Sequence, residues 1–71
     1  MQNATIILNS ANEIAVDAFL NGLISFDQIP QVIESSLFYV TKSHIKNLDD
    51  VIHTDIDSRA YASSWVNKHS K

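Results

Sequence analysis

The chain has 71 residues, no cysteine and a net charge of −3, with 45% hydrophobic and 18% charged residues. This composition predicts a small, soluble globular domain with a thin core, and the lack of cysteine excludes disulfide bridges and thiolate metal sites. Five Lys and Arg residues form no basic stripe, and no apolar run approaches the roughly 20 residues of a membrane span, so we expect neither a nucleic-acid nor a membrane partner.

The first predicted helix covers residues 4–21. Apolar residues recur there with the spacing of one helix face, and Gly22 follows as a stop signal. A second apolar stripe predicts another helix over about 26–41. Its start is open, because either Ser25 or Asp27 could cap it, and Pro30 is better tolerated if the cap is Asp27.

The last third of the chain carries two cap signals in quick succession. Asn47 is followed three residues later by Asp50, and Thr54 by Asp57. After a polar connection over 42–46, these signals predict a short helical turn and then a separate final helix. We therefore expect a single all-α domain over residues 1–71, with three main helices plus a short helical turn. The predicted elements are helices at about 4–21, 26–41, 48–53 and 55–68.

No catalytic, cofactor-binding or metal-ligating residue is assigned. His44, His53 and His69 are too far apart in sequence for a helical metal site, and the carboxylates near His53 are typical of a solvated face. Glu13 and Asp17 lie one turn apart, yet a wet helix surface would not shift their pKa values as acid–base work requires.

Four residues are predicted to lie at an interface. Asparagine is a poor helix former, yet Asn9 and Asn12 lie inside the first predicted helix. We therefore expect that these two residues, together with Glu13, serve a purpose other than helix formation. Trp65 is the preferred interface aromatic, although aromatic residues at helical spacing also close cores.

Three ordered blocks resemble one enzyme family. Residues 8–16, LNSANEIAV, with Ala18-Phe19-Leu20 resemble the LNxANE-x-AV-x-AFL stretch of 1-deoxy-D-xylulose 5-phosphate reductoisomerase. Residues 24–30, ISFDQIP, resemble its I-x-F-x-x-I-P segment. Residues 48–52 and 55–59 resemble its LxDVL-xx-DxxAR ending, with Ser58 where the family often has alanine. The resemblance covers about Ile7 to Val66.

The resemblance implies the C-terminal helical domain of this enzyme, whose NADPH-binding and catalytic domains lie upstream and whose motifs are absent here. The family uses NADPH and a divalent cation, Mg or Mn, to convert 1-deoxy-D-xylulose 5-phosphate to 2-C-methyl-D-erythritol 4-phosphate in isoprenoid synthesis. It implies a bacterial cytoplasmic or plastid-type location. We expect the 71 residues alone to be inactive and their partners to be the other domains of the enzyme.

The family domain is a four-helix bundle whose first helix precedes the LNxANE block, so we expect a truncated bundle with an apolar groove. Self-association could fill that groove. The alternative is a free-standing interaction module that binds an amphipathic helix.

Overall fold

The computed structural model describes residues 4–40 and 46–70. These residues form three α-helices, α1 (Ala4–Leu20), α2 (Gln28–Val40) and α3 (Leu48–His69), and no strand. Each helix packs against both others. This arrangement confirms the predicted all-α class with three main helices.

The end of α1 is built around Gly22. This glycine has a φ of 75°, and the amides of Gly22 and Leu23 donate to the carbonyls of Phe19 and Ala18 at 3.0 and 2.9 Å. Those two bonds are a Schellman motif, which needs a left-handed residue after the helix and so favours glycine. The helix ends one residue before the predicted position 21.

The start of α2 carries features of both candidate caps, Ser25 and Asp27. The helix begins at Gln28, so Pro30 lies in the first turn, where its missing N–H removes no intrahelical bond. The Gln28 side chain accepts a 2.8 Å hydrogen bond from the Ser25 amide, which is one half of a capping box. The predicted end at Thr41 and residues 42–45 of the predicted connection lie outside the described residues.

The predicted break in the third helical region is wrong, because Leu48–His69 is one continuous helix. Asn47 caps it as predicted, accepting a 3.0 Å bond from the Asp50 amide. The second signal, Thr54, is instead a buried interior residue whose carbonyl accepts a 2.7 Å bond from the Ser58 hydroxyl. Threonine costs little inside a helix, and continuity keeps Thr54 and Ser58 on the face that packs in the bundle.

The core is small and rich in alanine. Ala11, Ala15 and Ala62 are fully buried, and side chains this short allow helices to approach closely. Trp65 is the bulkiest side chain of the buried cluster and is 9% exposed. The cluster of buried apolar residues comprises Ala11, Ala15, Ala18, Ile24, Val32, Ala62, Trp65 and Val66.

Among the residues that the structure describes, no helix is long and apolar enough to cross a membrane.

Candidate interface surfaces

The predicted asparagine and glutamate cluster faces outward, but its members point to different surroundings. Asn9, Asn12 and Glu13 are all exposed on α1. Glu13 turns toward α3 and pairs with Arg59. The structure therefore separates Glu13 from the two asparagines, whose side chains form no hydrogen bond with another described residue.

A polar network joins α1 to α3. The Ser10 hydroxyl and the Arg59 guanidinium both bond to the Asp55 carboxylate, the latter at 3.1 Å, and Arg59 reaches on to Glu13. Ser10 and Glu13 meet Asp55 and Arg59 in the same chain order, so α1 and α3 run in the same direction. The network thereby fixes the register between the two helices.

The network also shifts two pKa values. The hydrogen bond from Ser10, helped by Arg59, holds the pKa of Asp55 below its usual value of 3.8. The bonds to Glu13 and then to Asp55 raise the pKa of Arg59. Each shift favours the charged form of its own group, the Asp55 carboxylate and the Arg59 guanidinium. In the sequence, the i,i+4 spacing of Asp55 and Arg59 indicates the part of the network that lies within α3.

Trp65, the fourth predicted interface residue, lies mainly in the core. Its ring stacks on His69 with the centroids 3.8 Å apart, and the His69 Nδ1 donates to the Trp65 carbonyl at 2.9 Å. One edge of Trp65 lines an open groove between α2 and α3. Any contact of Trp65 with a partner would therefore go through this groove.

An exposed row of aliphatic residues follows the first half of α3. Leu48, Ile52 and Ile56 are 72%, 48% and 55% exposed. Residues four apart lie on the same side of a helix, so the three side chains form one apolar stripe. No sequence argument had singled it out, because the predicted break at Thr54 divided these residues between two elements.

No set of three His, Asp or Glu side chains within residues 4–40 and 46–70 is placed to hold a metal ion. His53 is exposed on α3. His44 lies outside the described residues.

The sequence profile of the DXP reductoisomerase C-terminal domain matches residues 1–61. The chain belongs to this family. It is 49% identical over 67 residues to 1-deoxy-D-xylulose 5-phosphate reductoisomerase of Shewanella woodyi, and the match covers 94% of the chain. The corresponding enzymes of Shewanella sediminis and Shewanella sp. strain ANA-3 are 43% and 46% identical over the same share of the chain. No solved structure matches.

The DXP reductoisomerase relatives are much longer than this chain. The matched region is 17% of the length of the Shewanella woodyi enzyme. The family match confirms the resemblance carried by the three sequence blocks and assigns this domain to the C-terminal part of a reductoisomerase.

Proposed function

We propose that this chain is the C-terminal structural domain of an NADPH- and divalent-metal-dependent reductoisomerase. The enzyme would convert 1-deoxy-D-xylulose 5-phosphate to 2-C-methyl-D-erythritol 4-phosphate for isoprenoid synthesis in a bacterial cytoplasm. The observation that carries the proposal is the family match over residues 1–61 together with 49% identity to a reductoisomerase.

The chemistry of the described residues fits a supporting role and does not fit the cofactors. Phosphate cradles for NADPH use glycine-rich turns between a strand and a helix, and this sequence has one glycine. The carboxylates of the α1–α3 network are engaged with Ser10 and Arg59. NADPH and the Mg or Mn ion would therefore be held by the remaining domains, and the 71 residues alone would be inactive.

The apolar stripe of α3 supports this assignment. Three aliphatic side chains, each about half exposed or more, are typical of a surface that another part of a protein covers. Its occupant in the proposed enzyme is the remainder of the reductoisomerase chain. In isolation, the same stripe would favour a second copy of this chain.

Asn9, Asn12, Glu13 and Trp65 are proposed as contacts to that remainder. The exposed amides of Asn9 and Asn12 retain unused donors and acceptors, and buried hydrogen bonds formed by them would compensate for their poor helix propensity. Glu13, which pairs with Arg59, and the edge of Trp65 in the α2–α3 groove would contact the remainder at separate places.

A chimera tests the proposal. This chain would replace the matched C-terminal region of the Shewanella woodyi reductoisomerase, and activity would be measured as substrate-dependent NADPH oxidation. We expect an active chimera, no activity from the 71 residues alone, and loss of activity when the C-terminal region is deleted. A folded chimera without activity would contradict the proposal.

Within the same chimera, changing Asn9 and Asn12 together to alanine should lower the melting temperature and leave KM nearly unchanged. The exposed Gln31 offers a matched control on α2. A raised KM with an unchanged melting temperature would show instead that these asparagines contact substrate.

Size measurement on the isolated chain separates this proposal from the alternative of a free-standing module that binds an amphipathic helix. Light scattering and thermal melts over a hundredfold concentration range should show association and a rising midpoint, because oligomers stabilise by mass action. Ile56→Asn should abolish this dependence, whereas Phe38→Asn on α2 should not. A cooperative monomer at every concentration would favour the free-standing module.

A further inference from the structure

An open groove lies between the second half of α2 and the second half of α3, away from the apolar stripe. Its volume is about 280 Å³. Small-molecule sites typically occupy about 300 to 1,000 Å³, so this groove is the right size for a ligand with a single ring. The lining residues are Ser35, Tyr39, Tyr61, Ser64, Trp65, Lys68 and His69.

The walls of the groove are aromatic. Tyr61, Trp65 and His69 follow one another at intervals of one turn along α3, and Tyr39 faces them from α2. Tyr39 and Tyr61 are stacked with ring centroids 5.1 Å apart and an interplanar angle of 29°. Such rings favour a planar aromatic ligand in an offset or edge-on arrangement.

The polar groups of the groove can all donate hydrogen bonds, and one of them is positively charged. Lys68 contributes an ammonium group, while Ser35 and Ser64 contribute hydroxyls, and no Asp or Glu is among the lining residues. Lys68 forms no ion pair with any residue within 4–40 and 46–70. The lining therefore carries a positive charge without a carboxylate opposite it, which favours an anionic group on the ligand.

We propose that this groove binds a small aromatic carboxylate. The ring would lie against Tyr39, Tyr61 and Trp65, and the carboxylate would pair with Lys68 and accept from the Ser64 hydroxyl. His69 completes the wall while its Nδ1 remains bonded to the Trp65 carbonyl. The site uses only α2 and α3 and is tested on the isolated chain, because the edge of Trp65 that lines the groove is also a proposed contact to the remainder of the enzyme.

The single tryptophan of the chain reports on the groove directly. Benzoate would be titrated while Trp65 fluorescence is recorded, with amide NMR shifts as a second readout. Benzylamine has the ring with the opposite charge, and acetate has the carboxylate without a ring, so the two serve as control ligands. We expect saturable benzoate binding with a Kd on the order of 1 mM. Neither benzylamine nor acetate should saturate. Equal binding of benzoate and benzylamine, or no saturation by benzoate, would overturn the proposal.

Lys68→Gln and Lys46→Gln form a matched pair, since both lysines are exposed and only Lys68 lines the groove. Lys68→Gln should weaken benzoate binding about fivefold, in keeping with an exposed ion pair, and Lys46→Gln should leave it unchanged. Ser64→Asp, which places a like charge beside the ligand, should abolish saturation. Circular dichroism would establish that each variant is folded. Equal affinities in the two lysine variants, or retained binding in Ser64→Asp, would contradict the site.

Discussion

At the scale of single residues, the best-defined interaction is the one between Asp55 and its two partners. The carboxylate accepts from the Ser10 hydroxyl and from Arg59 on its own helix. Its side chain is 39% exposed, so solvent screens the ion pair and the stabilisation stays modest. The hydrogen bond from Ser10 joins Asp55 to α1 and so orients α3 on α1, whereas the ion pair lies within α3.

The pKa of Asp55 is lower in the folded chain than its usual value of 3.8, which sets the sign of a pH effect. As the pH falls, Asp55 of the unfolded chain binds a proton before Asp55 of the folded chain does. The stabilisation is therefore complete above the usual pKa and is lost as the pH falls through the folded pKa. Asp55→Asn should therefore lower stability by about 1 kcal/mol at neutral pH. The difference from the parent should shrink as the pH falls below 3.8 and through the lowered pKa of folded Asp55.

Thermal melts of both proteins from neutral to acid pH would measure this effect. Asp57→Asn is the control, because Asp57 is an exposed neighbour on the same helix. A difference between Asp55→Asn and the parent that persists unchanged in acid would contradict the assignment of the stabilisation to the carboxylate.

At the scale of helices, two residues stabilise helix ends, and both are recognisable from the sequence. Asn47 caps α3 through its bond to the Asp50 amide. Asn47→Ala should lower the free energy of unfolding by about 1 kcal/mol, because the Asp50 N–H loses its acceptor. Urea denaturation would measure the change, with the exposed Asn67→Ala near the other end of α3 as the control. Equal losses in both variants would contradict the cap.

Gly22 is the second such residue. A Cβ at this position would meet nothing within 4 Å, so the cost of Gly22→Ala comes only from its φ of 75°. We expect a loss of about 1 kcal/mol in the same denaturation experiment, and Gly22→Asn should recover part of it because asparagine tolerates the left-handed region. A neutral Gly22→Ala would show that the Schellman motif is not needed.

Sequence patterns predicted these helices well where the signal was local. Gly22 and Asn47 act through neighbours within four positions, so their functions could be read directly from the chain. Thr54 shows the limit, because the same residue type caps helices and also packs inside them. Only its burial against the bundle, a contact distant in sequence, decided between the two functions.

The interface surfaces were less predictable for the same reason. Poor helix propensity singled out Asn9 and Asn12 as interface candidates, which stays a prediction, whereas the Glu13–Arg59 pair joins residues 46 positions apart. The second half of that network, like the groove around Lys68, depends on how helices are placed side by side. Periodicity within one helix contains no information on that placement.

At the scale of the whole molecule, stability depends strongly on one side chain. A core rich in alanine buries little apolar surface per residue. Trp65 contributes the largest side chain of the buried cluster. A domain of this size rarely has more than about 3–5 kcal/mol available from its core, and truncating a buried tryptophan costs about the same.

Trp65→Ala should therefore leave the chain largely unfolded at room temperature, as measured by circular dichroism. Phe38→Ala removes another aromatic ring, but that ring is 72% exposed, so the variant should remain folded with a nearly unchanged midpoint. A cooperative melt of Trp65→Ala near the parent midpoint would show that the alanine-lined interfaces suffice.

The uneven burial along α3 has a consequence for how the chain opens. No residue from Leu48 to His53 is buried, whereas Thr54, Ser58, Ala62, Trp65 and Val66 all are. The first turns are thus held by their own hydrogen bonds and the Asn47 cap, and they can unwind without disturbing the core. Backbone amides of residues 52 and 53 should exchange with deuterated water much faster than those of residues 62–66, and a protease should make its first cut in this stretch. If the proposed remainder of the enzyme covers the apolar stripe, its arrival would close this opening, so the least protected segment of the isolated domain would become a protected one in the complete protein.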